Sequence, residues 1–188
     1  MKVSAIATVL MASLGMVTLN ANAASTGTIT FNGEVTSNTC DVVVDGQAAD
    51  ATIKLPTVST SDLASTGKTA GRTGFVMKLS NCVVQTQGKQ DTVSAFFQSG
   101  PSVDLATGRL NNTVASGGAQ LVSLQLLDAS GNYAPIKVGN ASQVNDTQGV
   151  QVTNGGEATL PYAVEYYAEG KSGAGLVTST VVYNLQYK

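Results

Sequence analysis

The chain has 188 residues, of which 10 are Lys or Arg and 12 are Asp or Glu, for a net charge of −2. Charged residues make up only 12% of it, against about 25% in an average globular domain. The charges are also scattered, which argues against nucleic acid or an anionic membrane as a partner. Histidine is absent, so neither a Ser-His-Asp nor a Cys-His arrangement can form. We therefore expect neither an enzyme nor a cofactor.

Residues 1–23 have the pattern of a signal peptide. Lys2 precedes a nearly uninterrupted run of apolar or small residues at 3–19, and Ala21-Asn22-Ala23 fits the cleavage rule of signal peptidase. A membrane anchor is the weaker interpretation, because the apolar run is short for a bilayer. Cleavage removes one lysine and changes the net charge from −2 to −3. The rest has the length of one exported domain, with no insertion into a membrane.

Residues 28–35 alternate with the two-residue period of a β-strand. Ile29, Phe31 and Val35 share one face, and Gly33 lies on the same face. Two interpretations stay open. The segment is either an ordinary first strand within its own sandwich, or a strand that adds to another sheet and fills pockets with its alternate side chains.

Short apolar or alternating runs, separated by turn residues, continue along the chain. They predict strands at residues 39–44, 51–55, 75–82, 92–98, 121–127, 133–138 and 160–168, with a loop at 57–73 that holds one helical turn near 61–64. Pro135 places the sixth of these strands at a sheet edge, because proline has no N–H for a ladder. Strands at this spacing, without a strong helix, predict an antiparallel β-sandwich.

Residues 177–188 form the last predicted strand. Val181, Tyr183, Leu185 and Tyr187 fall on one face, and Val177 extends it. No residues follow to cover the neighbour of this strand, so we expect a sandwich that lacks one strand. A loose strand at one end and a missing strand at the other suggest a subunit that completes its neighbour.

The two cysteines, Cys40 and Cys82, are expected to form a disulfide in an oxidising compartment. A reactive or metal-binding thiol pair would need closer spacing or histidine partners, and the sequence has neither. A glycosidase pair of Glu165 and Glu169 is also disfavoured, because nothing else in the sequence marks a cleft around them.

The sequence resembles the chaperone–usher pilins, in particular the type 1 fimbrial major-subunit family, along essentially the whole chain after residue 23. The resemblance lies in four motifs: residues 27–35 followed by Cys40, residues 74–82, residues 160–168, and residues 181–188 with their penultimate tyrosine.

The resemblance implies an incomplete immunoglobulin-like β-sandwich that lacks its last strand and is completed by a donor strand from a neighbouring subunit, with Cys40 and Cys82 bridged. Residues 24–36 would be the donor-strand extension and residues 37–188 the pilin domain. Ile29, Phe31, Gly33 and Val35 would enter the groove of another subunit. Residues Val181, Tyr183, Leu185 and Tyr187 would first pair with a periplasmic chaperone.

The implied function is a structural subunit of an extracellular fimbria that supports adhesion. Its partners would be copies of itself or other pilins, the periplasmic chaperone and an outer-membrane usher. Two alternatives remain: a secreted monomeric β-sandwich that binds a glycan, and a minor adaptor pilin.

Overall fold

The computed structural model describes residues 28–31, 40–83 and 92–188. The chain divides into two compact units, Met1–Val35 and Thr36–Lys188. Within the first unit, residues 28–31 have no regular secondary structure and their side chains are exposed. The predicted signal peptide and most of the predicted donor segment, including Gly33 and Val35, lie outside the described residues.

The regular secondary structure of the second unit is almost entirely β-strand. Its described residues form β1 Asp41–Val44, β2 Thr69–Ser80, β3 Thr92–Phe97, β4 Val103–Asp104, β5 Arg109–Asn111, β6 Val122–Asp128, β7 Ala134–Pro135, α1 Gln143–Asp146, β8 Val150–Gln151, β9 Ala158–Ala168 and β10 Tyr183–Tyr187. In the part of the chain that is described, no helix has the length and apolarity to cross a membrane.

These strands form two antiparallel sheets. The larger sheet has the order β1-β2-β9-β6-β5-β4, with β7 paired to β6, and the smaller has the order β10-β3-β8. Phe75 lies opposite Tyr162 between β2 and β9, and Leu126 lies opposite Val164 between β6 and β9. The predicted all-β sandwich is confirmed.

The core lies where the two sheets face each other. The two-residue period of β2 turns Phe75, Met77 and Leu79 inward, and all three are buried. Their neighbours from the other strands include Phe97, Leu110, Leu124, Leu126, Leu160, Tyr162 and Val164. Apolar side chains from both sheets therefore share one core, as sheet-on-sheet packing requires.

Three strand predictions need correction. Residues 51–55 form no strand: the N–H and C=O of Thr52 bond to the side chain of Gln47, and residues 53–55 have no ladder partner among the described residues. The last strand is shorter than predicted: Tyr183–Tyr187 pairs with β3, whereas residues 177–182 extend beyond the end of β3. The predicted loop at 57–73 ends early, since β2 begins at Thr69 and absorbs Gly71 at a register shift.

Side chains replace missing strand partners along β3. Its pairing with β8 covers only Thr92 and Val93. The N–H of Ala95 donates instead to the hydroxyl oxygen of Tyr162, at 2.8 Å. At Phe97, the side-chain amide of Gln143 accepts from the N–H at 3.0 Å and donates to the C=O at 2.9 Å. Helix α1, which the sequence analysis missed, therefore holds the glutamine that completes β3.

The predicted disulfide is confirmed. Cys40 and Cys82 are bonded, and their Cα atoms lie 4.1 Å apart. The bond joins the start of β1 to the end of β2, and the N–H of Cys82 donates to the C=O of Gly156 at 3.0 Å. This cross-link fastens the four-residue edge strand β1 to its neighbour, the twelve-residue strand β2.

Ionisation of Tyr162 is expected to lower the stability of the sandwich at alkaline pH. Burial raises the pKa of Tyr162 to about 12, an effect that the bond from the Ala95 N–H opposes and the charge of Asp128 increases. A raised pKa in the folded state adds stability that is complete below the ordinary tyrosine pKa of about 10 and is lost as the pH rises toward 12. The loss amounts to about 2 to 3 kcal/mol.

We expect Tyr162→Phe to be less stable at neutral pH by about 1 to 3 kcal/mol, because the Ala95 N–H loses its acceptor. Between pH 10 and 12, the variant should lose less stability than the wild type. Guanidinium unfolding, followed by circular dichroism at several pH values, measures both effects. An equal alkaline loss in the two proteins would contradict this assignment.

Candidate functional site

An open groove separates two edges of the sandwich. Its walls are residues 49–55, after β1, and residues 177–183, before and at the start of β10, and its cavity has a volume of about 560 Å³. The floor consists of core side chains from both sheets: Phe75, Met77, Phe97, Leu124, Leu126 and Val164. The hydrophobic core is therefore open at this position.

The first wall is extended and alternates without a strand neighbour. Ile53 and Leu55 are half-buried and pack against the core, whereas Thr52 and Lys54 are exposed. Among the described residues, the backbone N–H groups of Ile53, Lys54 and Leu55 have no hydrogen-bond partner. This wall has the side-chain pattern of a strand and lacks only the ladder.

The second wall is hydrogen-bonded to the sandwich along one side of its backbone, and the other side has no backbone partner among the described residues. Residues 177–181 and Tyr183 line the groove. The carbonyl oxygens of the even-numbered residues accept hydrogen bonds from the sandwich: Thr178 from Thr113, Thr180 from Ser102 and Val182 from Gln98. Directly after β10, the even-numbered Lys188 exchanges both backbone bonds with Thr92. Because backbone groups alternate along a strand, the odd-numbered residues turn theirs toward the groove.

Tyr183 connects the two walls, and Tyr187 makes a similar contact beyond the end of the groove. The hydroxyl of Tyr183 donates to the C=O of Ala49 at 2.9 Å, and that of Tyr187 lies 3.5 Å from the Sγ of Cys40. Burial raises the pKa of both tyrosines, and the nearby charge of Asp50 adds to the rise at Tyr183. The walls run in opposite directions, since Tyr187 lies near Cys40 and Tyr183 near Ala49.

The family described as "Type-1 fimbrial protein, A" matches residues 55–188 of this chain. The chain belongs to this family. Over 169 residues it is 42% identical to the F17 fimbrial protein of Escherichia coli, covering 90% of this chain and 91% of that protein. It is 43% identical over 171 residues to the major fimbrial subunit SMF-1 of Stenotrophomonas maltophilia, covering 90% and 96%.

Solved pilus structures share the fold. A chain from a chaperone–usher pilus, solved to explain the uncoiling of its rod, superposes with a TM-score of 0.56 at 20% identity, covering 88% of this chain and 97% of that one. The P pilus rod subunit PapA gives a TM-score of 0.54 at 19% identity, covering 79% and 99%. The resemblance to pilins is thus confirmed, and the protein is a structural subunit of an extracellular fimbria that assembles with other pilin subunits.

The structure of this fimbrial subunit separates the residues predicted for the groove strand into two pairs. Val181 and Tyr183 line the groove, whereas Leu185 and Tyr187 pack against the core within β10, beyond the cavity. Of the predicted donor residues, Ile29 and Phe31 are exposed, and Gly33 and Val35 lie outside the described residues. The first wall was not predicted as part of the site, although the alternation of Ile53 and Leu55 with polar residues indicated a segment with one face on the core.

The two glutamates that sequence analysis considered as a pair bond to different arginines. Glu165 is buried on the outer side of β9 and accepts from Arg72 at 2.9 Å and from Gln125 at 3.3 Å. Glu169 accepts two bonds from Arg109, at 2.7 and 3.0 Å. Burial favours the neutral form of Glu169, but the bonds from Arg109 and Ser123 outweigh it and lower its pKa. Both carboxylates therefore serve ion pairs on the outside of the sandwich.

Two neighbouring valines test the wall of the groove. Val181 is half-buried in it, whereas Val182 is 64% exposed. We expect Val181→Asn to lower the free energy of unfolding by about 1 to 2 kcal/mol, because it replaces apolar area packed on the core. Val182→Asn should change it by less than about 0.5 kcal/mol. Urea unfolding of both variants makes the comparison, and equal effects would place the groove elsewhere.

Proposed function

We propose that the groove accepts residues 24–36 of another copy as a donor strand and that fimbriae form by repetition of this step. The free backbone edge of residues 177–187 carries the proposal. An exposed edge of this length beside an open core invites aggregation until a strand covers it. An added strand would supply a ladder to the odd-numbered residues and close the core at the same time.

The donor segment suits the groove chemically. Ile29, Phe31 and Val35 share one face, as the apolar floor requires of an inserted strand. Burial of three such side chains is worth about 4.5 to 9 kcal/mol before backbone pairing is counted. Gly33 would occupy a narrow part of the groove, where a side chain does not fit.

The connectivity of a filament favours one direction of insertion. A donor strand antiparallel to residues 177–187 leaves the groove near Val177, opposite the end that holds Cys40. The domain that follows the donor strand then begins at its own Cys40. Each copy therefore meets the copy whose groove it fills at its Cys40 end, and the copy that fills its own groove at its Val177 end. A parallel donor would leave near Cys40, where the copy's own extension also departs, and both neighbours would compete for that end.

The same groove would be covered during export by a strand from a periplasmic chaperone. An unpaired backbone edge at residues 177–187 would make the subunit prone to aggregation in the periplasm. Val181, Tyr183, Leu185 and Tyr187 would present the backbone edge and apolar face to the chaperone, as the pilin resemblance implies. At an outer-membrane usher, the extension of the next subunit would then displace the chaperone strand.

Phe31 provides a test of the donor strand, with Thr30 as its matched neighbour on the opposite face. We expect Phe31→Asp to abolish or strongly reduce polymers, because it would bury a charge in the apolar groove. Thr30→Asp should assemble normally. Surface-sheared material from producing cells, unboiled in SDS, should show a ladder for the wild type and Thr30→Asp that collapses to monomer on boiling.

Two results would contradict the donor-strand proposal. A wild-type monomer in both boiled and unboiled samples would favour a closed, monomeric binding module. A ladder of normal length from Phe31→Asp would show that the face of Ile29 and Phe31 does not fill the groove.

The direction of insertion is tested by moving the donor segment within one chain. Residues 24–36 are deleted from their place and appended after Lys188. For an antiparallel donor, a hairpin loop of about four residues suffices, whereas a parallel donor needs a linker that returns along about 30 Å of groove. We expect the short-linker chain to be monomeric and more resistant to urea than the chain without residues 24–36. Rescue only by a linker of about 12 residues or more would reverse the direction.

A further inference from the structure

The end of the domain at which the groove begins exposes two leucines. Leu176 is 70% exposed and Leu121 is 55% exposed. Each precedes a valine of one small buried cluster: Val177 follows Leu176, Val122 follows Leu121, and both valines pack with Leu63 and Ala168. The two leucines therefore lie at the same end of the sandwich, and Leu176 lies directly at the mouth of the groove.

The backbone holds both leucines in place. The N–H of Leu176 donates to Gly117 at 2.9 Å, and its C=O accepts from Ala119 at 2.9 Å and from the side chain of Asn112 at 2.8 Å. Gly175, just before it, has no room for a Cβ against residues 117–119. An exposed side chain is thus presented from a fixed backbone, which lowers the entropy cost of using it in an interface.

Leu121 is held in a backbone conformation that is costly for leucine. Its φ is +55°, in the left-handed region that glycine or asparagine would adopt at lower cost. The C=O of Leu121 accepts from the N–H of Glu169 at 2.9 Å, which fixes this conformation. Backbone strain of this kind concentrates at functional positions.

The opposite end of the domain also exposes an apolar side chain. Val83 is 53% exposed and directly follows Cys82, which is bonded to Cys40. Cys40 is the first described residue after the donor segment. Five residue steps separate Val35 from Cys40, and five extended steps span at most about 17 Å.

Resting on the donor-strand function proposed above, we infer that Leu121 and Leu176 of one copy pack against Val83 of the next copy in the filament. The short connection forces the Cys40 end of the incoming copy close to the Val177 end of the groove it fills. The contact joins different surfaces of the two copies, and a heterologous contact of this kind repeats along an open filament without closing. It would seal the mouth of the groove once the donor strand is in place.

Cysteine pairs test this contact, because boiling in SDS breaks the non-covalent donor-strand linkage and leaves a disulfide intact. Leu176→Cys is combined with Val83→Cys, Leu121→Cys is combined with Val83→Cys, and Leu105→Cys with Val83→Cys is the control. Leu105 is an equally exposed leucine in the hairpin between β4 and β5. A disulfide forms only where the two Cβ atoms approach to about 4 Å.

We expect the Leu176 or the Leu121 pair to keep its ladder after boiling without reductant and to lose it with reductant. The control pair should collapse to monomer on boiling. Monomer from both test pairs after boiling, with normal ladders before boiling, would overturn the contact while leaving donor-strand assembly intact. A missing ladder in unboiled wild type would instead refute donor-strand assembly itself.

Added cysteines can interfere with the Cys40–Cys82 bond, so a charge pair provides a second test. Leu176→Asp alone should shorten the unboiled ladder, because it places a charge against Val83 of the next copy. Adding Val83→Lys to it should restore the length. Normal ladders from Leu176→Asp, or no recovery in the double variant, would overturn the contact.

Discussion

An edge without a partner is the constraint on which the rest of this structure depends. The odd-numbered backbone groups of residues 177–187 point away from the sandwich, and the facing residues 53–55 have no ladder among the described residues. The side chains of the same two segments are apolar on the inner face. The chain therefore builds the walls and the floor of a strand site within one domain, and the strand that we propose for this site comes from another copy.

The remainder of the smaller sheet shows how such gaps are otherwise closed. On the side of β3 away from β10, pairing with β8 ends at Val93, and the hydroxyl of Tyr162 and the amide of Gln143 provide the next partners. Those positions are buried, and a buried N–H without a partner would cost about 1 to 3 kcal/mol. Side chains thus satisfy the backbone where the gap is permanent. Among the described residues, no side chain bridges the groove in this way except Tyr183, which bonds to the C=O of Ala49.

The sequence predicted the sandwich and the central strands well, because β2, β6 and β9 are long enough for the two-residue period to appear. It predicted the disulfide from compartment and cysteine number alone. It missed β4, β5 and β8, which have two or three residues each and show no period. It also predicted a strand at residues 51–55, because their apolar and polar side chains alternate, although residues 53–55 have no ladder partner among the described residues. The sequence indicated one wall of the groove, at Val181 and Tyr183, but not the facing wall at residues 49–55, since the two come from segments more than 120 residues apart that only the fold brings together.

The position of the disulfide affects how a filament of these subunits would carry tension. In a polymer joined through residues 24–36, tension enters each domain at Cys40, immediately before β1. That strand has four residues and lies at the edge of its sheet, so a pull along it would break its pairs with β2 one after another. The bond to Cys82 passes the load instead to the far end of β2, whose pairing with β9 extends from Thr69 to Leu79. Strands loaded along a long ladder resist as a unit, because many backbone bonds must break together. The cross-link therefore attaches each subunit through β2 and its long ladder as well as through the short strand β1.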